Sequence, residues 1–295
     1  MFDYRYHALS LAAVLLALAV GVLIGVAIGD SNLVSSAKNG IVHNLESEVG
    51  GAQRQAGVLQ SKLSTEETFA NDLYPIAVHG VLTGRNVGLV FLGSSSNQVD
   101  GLVRSSVTQA GGDLATVVTV REPLDLTGLA QAASGTPYAA LATDPELVHK
   151  FGGLAGRQLV SGGALVNQEL LSRVRGQLLS AFDGQLGKLE GLVVMRSEPT
   201  DMTPEQAQAR AAFDSGLIAG VTAVGVPVVG VELNETEPSQ VPWYKSQGIS
   251  SVDDLDQLAG QTALVYALAG SHGAYGVKSS ADSLLPAVAD GSIQP

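Results

Sequence analysis

Cysteine is absent from this chain, which excludes disulfides, thiolate metal sites and a cysteine nucleophile. Basic residues are few. Against 28 Asp and Glu there are 16 Lys and Arg, for a formal net charge of −12. Such a surface repels phosphate backbones and anionic headgroups, so nucleic acid is not an expected partner. Residues 84–295 alone carry 21 acidic and 12 basic side chains. Soft and borderline metal donors are scarce too, with three methionines and five histidines. His7, His43, His79, His149 and His272 are too dispersed for their spacing to suggest one metal site, and packing or surface roles fit them better. Apolar residues are plentiful instead. They make up 45% of 295 residues, with 35 glycines, which suits a packed α/β core rather than a disordered chain.

Ala8 to Ile28 contains no charged side chain, and Ser10 is its one polar residue. As a helix this run is about 31 Å long, close to the hydrocarbon thickness of a bilayer. Residues 1–30 are therefore expected to be a transmembrane anchor, with 8–28 in contact with lipid and Phe2, Tyr4 and Tyr6 at headgroup level. A cleaved signal peptide is the rival reading, since Ala27-Ile28-Gly29 loosely resembles a cleavage site, but the apolar run is longer than a signal core. Arg5 precedes the helix, Asp30 follows it, and the next lysine is Lys38. That bias favours a cytoplasmic N-terminus and an extracytoplasmic C-terminal domain in the cell membrane. Gly21, Gly25 and Gly29 recur every four residues, a spacing that lets two membrane helices approach closely, although glycine is also simply common in such helices.

A heptad can be laid from Val42 through residue 74. Val42, Val49, Ala56, Leu63 and Ala70 fall at a; Leu45, Ala52, Leu59, Glu66 and Leu73 fall at d. Nine of these ten are apolar, Glu66 being the exception, while Glu46, Glu48, Arg54, Lys62 and Glu67 lie off the seam; Gly50, Gly51 and Gly57 weaken the helix by about 1 kcal/mol each relative to alanine. The pattern predicts a stalk over 31–74, read as a dimeric coiled coil with seam residues Val42, Leu45, Val49, Leu59, Leu63 and Leu73. The alternative is one amphipathic helix packed on the following domain. Pro75 is expected to end the helix, with a linker over 75–83.

From residue 84 to 295 short apolar runs alternate with helical spacing. Expected strands are Arg85–Gly93, Leu114–Val120, Tyr138–Thr143, Leu192–Met195, Pro227–Leu233 and Thr262–Ala269. Expected helices are Val99–Ala110, Leu165–Leu186, Pro204–Val224 with Thr203 as cap, Val252–Ala259 and Ser280–Ala289. The alternation predicts an α/β, Rossmann-like three-layer domain with a mostly parallel sheet. The weakest signal lies between Leu124 and Gly187.

No motif points to catalysis. Gly93-Ser94-Ser95-Ser96-Asn97 could receive an anion at a helix N-terminus, but it lacks dinucleotide-binding spacing. Gly270 to Ser279 resembles a phosphate loop except that Val277 separates Gly276 from Lys278, and it reads as a turn-rich connection. No GxSxG elbow is present. Glu232, Glu235 and Glu237, and Asp253, Asp254 and Asp256, form two acidic clusters that could hold a hard cation weakly. Solvated loop charge is the simpler reading of both. The residues thus predict no enzyme and no cofactor, and they leave any metal site unassigned.

The string FDYRYHALSLAAVLLALAVGVLIGVAIG and the string SSVDDLDQLAGQTALVYALAGSHGAYGVKSSADSLLP resemble the two ends of the actinobacterial copper transporter B (MctB) family. GRNVGLVFLG and the Met195–Pro238 region are also similar to it. The resemblance implies a membrane or envelope protein of copper transport or homeostasis, and it alone brings in copper. It also implies a second role, as an accessory protein of cell separation acting with a cytoplasmic-side partner to influence peptidoglycan hydrolysis; joined to the dimer read from the seam, this is a non-catalytic dimeric scaffold. A third reading is an α/β enzyme of unknown substrate. The residue chemistry sits uneasily with direct copper handling. Cu(I) prefers thiolate and thioether donors, and only Met195 and Met202 lie beyond the initiator methionine. One transmembrane helix, moreover, cannot enclose a pore.

Overall fold

The computed structural model describes residues 4–29, 31–162, 168–198 and 201–287. Two compact units divide the chain, 1–68 and 69–295. The first holds α1 (Tyr4–Ile28) and most of α2 (Ser31–Val78). α1 is 25 residues long and apolar on all sides, long enough to cross a bilayer. α2 continues through Pro75 to Val78, contrary to the expected stop. Proline forfeits one backbone hydrogen bond, a loss the last turn tolerates because its end is held in a core. Gly80, with φ of +77°, turns the chain instead.

In the second unit seven strands form one sheet in the order β3-β2-β1-β4-β5-β6-β7. They are β1 (Asn86–Leu92), β2 (Asp113–Val120), β3 (Leu179–Gly184), β4 (Gly191–Arg196), β5 (Val228–Val231), β6 (Ser250–Val252) and β7 (Ala274–Tyr275). All neighbours pair in parallel except β2 and β3. This is a doubly wound arrangement, as expected from the alternation. Alternate side chains of the central strands feed two cores. Val90, Leu92, Val118, Leu192 and Val194 meet the helices of one face. Val87, Leu89, Phe91, Val193 and Val229 meet the other.

The first face carries α4 (Leu126–Ala132), α5 (Pro145–Val160), α6 (Gln168–Leu178), α7 (Pro204–Thr222) and α8 (Val241–Ser246). α7 starts as expected. Thr203 and Gln206 form a reciprocal capping box, with Pro204 at the first turn. α5 uses the same devices, Asp144 accepting from the Glu146 amide at 2.9 Å and Pro145 following. α5 and α7 touch backbone to backbone. A Cβ added at Gly152 or Gly156 would collide with the Phe213 or Leu217 carbonyl, and one at Gly216 or Gly220 with His149 or Gly153. The second face carries α3 (Asn97–Gln109) and α9 (Leu258–Ala269). Tyr74, Val78 and Leu82 are buried in that core, and Tyr266 Oη donates to the Ala77 carbonyl at 2.8 Å.

Several expected elements differ. Thr262–Ala269 is the body of α9, not a strand. It is apolar nearly all round, which removes the helical period that would have marked it. Val252 closes β6 rather than opening a helix. Tyr138–Thr143 lies in a 3-10 turn (Pro137–Ala140) and the turn after it. The expected helix Leu165–Leu186 divides into α6 and the edge strand β3, and its residues 165–167 lie outside the described residues. The expected final helix from Ser280 is a series of turns up to Pro286, with 288 and 289 outside the described residues.

The buried end of α2 makes a prediction about truncation. A fragment starting at residue 84 discards Tyr74, Val78 and Leu82, worth roughly 1.5–3 kcal/mol each when fully buried. A fragment from Phe69 to Pro295 keeps them. Urea unfolding should show the shorter fragment destabilised by several kcal/mol or unfolded. Equal midpoints would mean that the α2 terminus does not contribute to the core.

Candidate functional site

The strand order reverses at β1, whose neighbours are β2 on one side and β4 on the other. Ligand crevices of doubly wound sheets open at the carboxyl ends of the strands at such a reversal. A cleft of about 750 Å³ lies there. Gly93 and Ser94 line it after β1, Arg121 and Glu122 after β2, and Glu198, Asp201 and Met202 after β4. Gly93, at φ +109°, is required by close approach. A Cβ there would overlap the Glu122 carboxylate and Ser197 Oγ.

Beside the cleft, sharing Glu122 and Glu198 with its lining, lies a buried charge cluster. Arg210, on α7, sets its Nε 2.7 Å from Glu122 Oε1 and 3.4 Å from Asp214 Oδ2. Arg196, at the end of β4, sets its Nε 3.2 Å from the same Asp214 oxygen and its second nitrogen 2.7 Å from Glu198. Arg210 also donates to the carbonyls of Leu92 and Ser197, which ties α7 to the ends of β1 and β4. Burial pushes the Asp214 carboxyl up to about 6 against the pull of both arginines. Burial likewise raises Glu122 and lowers Arg210. The Tyr244 hydroxyl accepts from the Arg196 amide at 3.0 Å and donates to the Val231 carbonyl at 3.2 Å. The ring of Tyr244 occupies the space that a side chain at Gly230 would need.

From Arg196 the polar chain continues along the rim. Its guanidinium donates to Gln240 Oε1 at 2.5 Å, and the Gln240 amide donates to Glu232. Glu232 also accepts from Ser239 Oγ and from Lys278 Nζ, both at 2.7 Å. Lys278 donates further to the carbonyls of Leu233 and Thr236. The Gly270–Ser279 segment is turn-rich, as expected, but its lysine is a half-buried clasp on Glu232.

Two expectations about charge need correction. Glu232, Asp253 and Asp254 are buried, not solvated loop charges. Glu235 and Glu237 remain exposed. Asp253 is held by the amides of Val277 and Lys278, whereas both oxygens of Asp254 lack a partner. Among the described residues no three His, Asp or Glu side chains converge as a metal site. The Gly93–Asn97 turn does reach the cleft, but not as an anion site. Ser96 caps α3 itself, accepting from the Val99 amide at 3.3 Å, and Asp100 sits in the first turn. Three carboxylates face the cleft, and its one guanidinium, Arg121, donates to the Gly176 and Leu179 carbonyls. Repulsion disfavours phosphate there.

The candidate copper donors are scattered over the domain. Met195 packs on the α3–α9 side of the sheet, while Met202 lines the cleft. His149, on α5, contacts Ser215 Oγ at 3.2 Å, and His272 is exposed after α9. Among the described residues no histidine lines the cleft. In α1, Gly21 and Gly25 have open space where a Cβ would be. The seam residues Val42, Leu45, Val49, Leu59, Leu63 and Leu73 are between 42% and 60% exposed.

The family described as "Copper transport outer membrane protein, MctB" matches residues 1–286. The chain is similar to proteins named "Copper transporter MctB" from Mycobacterium bovis (strain ATCC BAA-935 / AF2122/97) and Mycobacterium tuberculosis (strains CDC 1551 / Oshkosh and ATCC 25618 / H37Rv). It is 25% identical to each over 209 residues. That alignment covers 70% of this chain and 58% of each relative, so the chain spans under two thirds of the relatives' length.

Asp254 supplies a pH prediction. Its carboxyl is pushed from 3.8 up to about 6, by burial first and then by Asp253. A folded-state pKa above the unfolded one means that the folded chain binds the extra proton. The contribution is full below about pH 4 and is lost as pH rises through 6. Asp254→Asn should therefore stabilise the protein at pH 7.5, on the order of 1–3 kcal/mol, and flatten the stability slope between pH 4 and 7. Denaturant titrations across that range test it; an unchanged slope would refute it.

Proposed function

This chain belongs to the MctB family of copper transport outer membrane proteins, and from that membership we propose that it serves copper transport or homeostasis in the cell envelope as an anchored, non-enzymatic protein. The observation that carries the reading is the extent of the family match, which runs from the anchor through the end of α9 and beyond. The names of its relatives speak of copper; none speaks of cell-wall hydrolysis, and that second role is not carried forward. The described sheet is open and mainly parallel, with helices on both faces, unlike the closed antiparallel barrels that span outer membranes. α1 is the element fit for lipid. The charge cluster beside the cleft is spent on holding α7, which is consistent with a non-enzymatic role.

Copper is then cargo that the chain influences without a tight site of its own in the α/β domain. Two thioethers on different parts of the fold and two imidazoles on others do not form the converging soft donor set that Cu(I) needs. Loss of the gene should lower copper tolerance, and the full chain should restore it. The purified full chain should compete no better for Cu(I) against a chelating indicator than a generic histidine-bearing protein. Unchanged tolerance on deletion would overturn the copper role. One stoichiometric tight site lost on changing Met202 or His149 would overturn the indirect one.

Arg5 before α1 and Asp30 after it support a cytoplasmic N-terminus, which leaves the acidic α/β unit outside. Alkaline phosphatase fused after Pro295 should be active in intact cells. Activity only when the fusion is retained inside would reverse the topology.

A further inference from the structure

We propose that α2 is an interaction surface for a second copy of this chain, forming a parallel, in-register two-stranded coiled coil over Val42–Glu67. α2 is a continuous helix there, yet Val42, Leu45, Val49, Leu59 and Leu63 are 42%, 54%, 53%, 58% and 60% exposed. These side chains stand at a and d of one heptad register, so their exposure is a single seam along one side of the helix. A helix in a protein draws most of its stability from packing such a face. This one also carries Gly50, Gly51 and Gly57 in its interior, each a weakening residue. Left single in water, it lacks the contacts that would offset them.

The occupant follows from the anchor and the flanking residues. Identical chains insert their α1 helices in the same direction, so two α2 helices rising from one membrane run parallel. In a parallel pair, each g residue faces the e residue of the next heptad on the other helix. Those pairings are Glu48 with Gln53 of the partner subunit, Gln55 with Gln60 of the partner subunit, and Lys62 with Glu67 of the partner subunit. None of these flanking pairs opposes like charges, and the last is an ion pair; on the seam itself Glu66, at d near its end, is the one charged residue and meets its own copy. An unrelated partner would have no reason to match this register, whereas a second copy matches it automatically. Gly21 and Gly25 are consistent with the same pair, because a Cβ at either would meet nothing in the chain itself. The fold of one copy does not call for their smallness, and close approach of a second membrane helix would.

The native chain has no cysteine, so a single introduced thiol reports on its own. Leu45→Cys, in the full chain in membranes, should form an inter-chain disulfide under mild oxidation at least tenfold faster than Ser61→Cys, which lies on the outer side of the helix. Leu59→Asp with Leu63→Asp, added to Leu45→Cys, should reduce the cross-link at least tenfold. A cross-link at Ser61 as fast as that at Leu45 would overturn the seam. Absence of the Leu45 cross-link, or its capture of a different protein in place of the dimer, would overturn the second copy as occupant. The Ser61 comparison needs no seam substitution, so it decides the matter even where the double aspartate variant does not fold.

Discussion

Arg196 and Asp214 meet at 3.2 Å beneath the carboxyl ends of the strands, and the placement of much of the domain follows from that contact. Asp214 is on α7 and Arg196 on β4, so the pair fixes where α7 crosses the sheet. Arg210, one turn before Asp214, then reaches Glu122 after β2 and the carbonyls at the ends of β1 and β4. Three acids and two arginines share this space, and taking so many charges from water is costly unless each is paired. Removing one partner would leave buried charge unmatched, a far larger penalty than losing a surface ion pair. The same contacts hold the loops after β1, β2 and β4 around the cleft. Its shape is thus a by-product of how α7 is fastened.

With α7 placed, α5 has one way to lie. Gly152 and Gly156 on α5 and Gly216 and Gly220 on α7 leave no room for side chains between the two backbones. Phe151 and Phe213 flank the contact, their ring centroids 6.3 Å apart, and supply the apolar burial that glycine cannot. This pairing explains why α5 was invisible in the sequence. Sequence reading seeks large apolar residues three and four apart, but the contact face of α5 is built from glycines, which propensity counts against a helix. α7 was legible because its start is marked by Thr203 and Pro204, a signal independent of its packing face. α9 failed for the opposite reason. Its residues are apolar almost all round, so no period separates helix from buried strand, and Thr262–Ala269 was misread.

The rim chemistry was less legible than the fold. β1, β2 and β4 were recognisable as apolar runs with branched residues, and the order of elements was enough for a parallel sheet. The cleft's first loop, Gly93 to Asn97, was also visible. Its electrostatic character was not, because Glu122, Glu198 and Asp201 come from other loops that only the sheet order brings together. One local signal was available for the buried cluster. Arg210 and Asp214 share the face of α7 that carries Phe213, Leu217 and Val221, and charges on an apolar stripe imply buried partners. The acidic groups around residues 232 and 253 misled in the same way. Sequence alone shows charge density in a loop, while the fold shows Glu232 clasped by Lys278 and Asp253 by two amides.

The membrane part and the folded part constrain what copper transport can mean for such a chain. A single apolar helix has no interior through which an ion could pass, and charge transfer through hydrocarbon is prohibitive without a lined path. The α/β unit spends its buried charges on its own architecture, and its soft donors stand apart. A direct path for the ion through this chain is therefore hard to build from its residues, whereas an anchored body with an acidic exterior and a cleft at its rim can act on other envelope components. The pairing proposed for α2 would give such a body a means of assembly that does not draw on the α/β unit. On the copper reading proposed above, the fold limits the manner: contact, rather than conduction, is the chemistry that the described residues support.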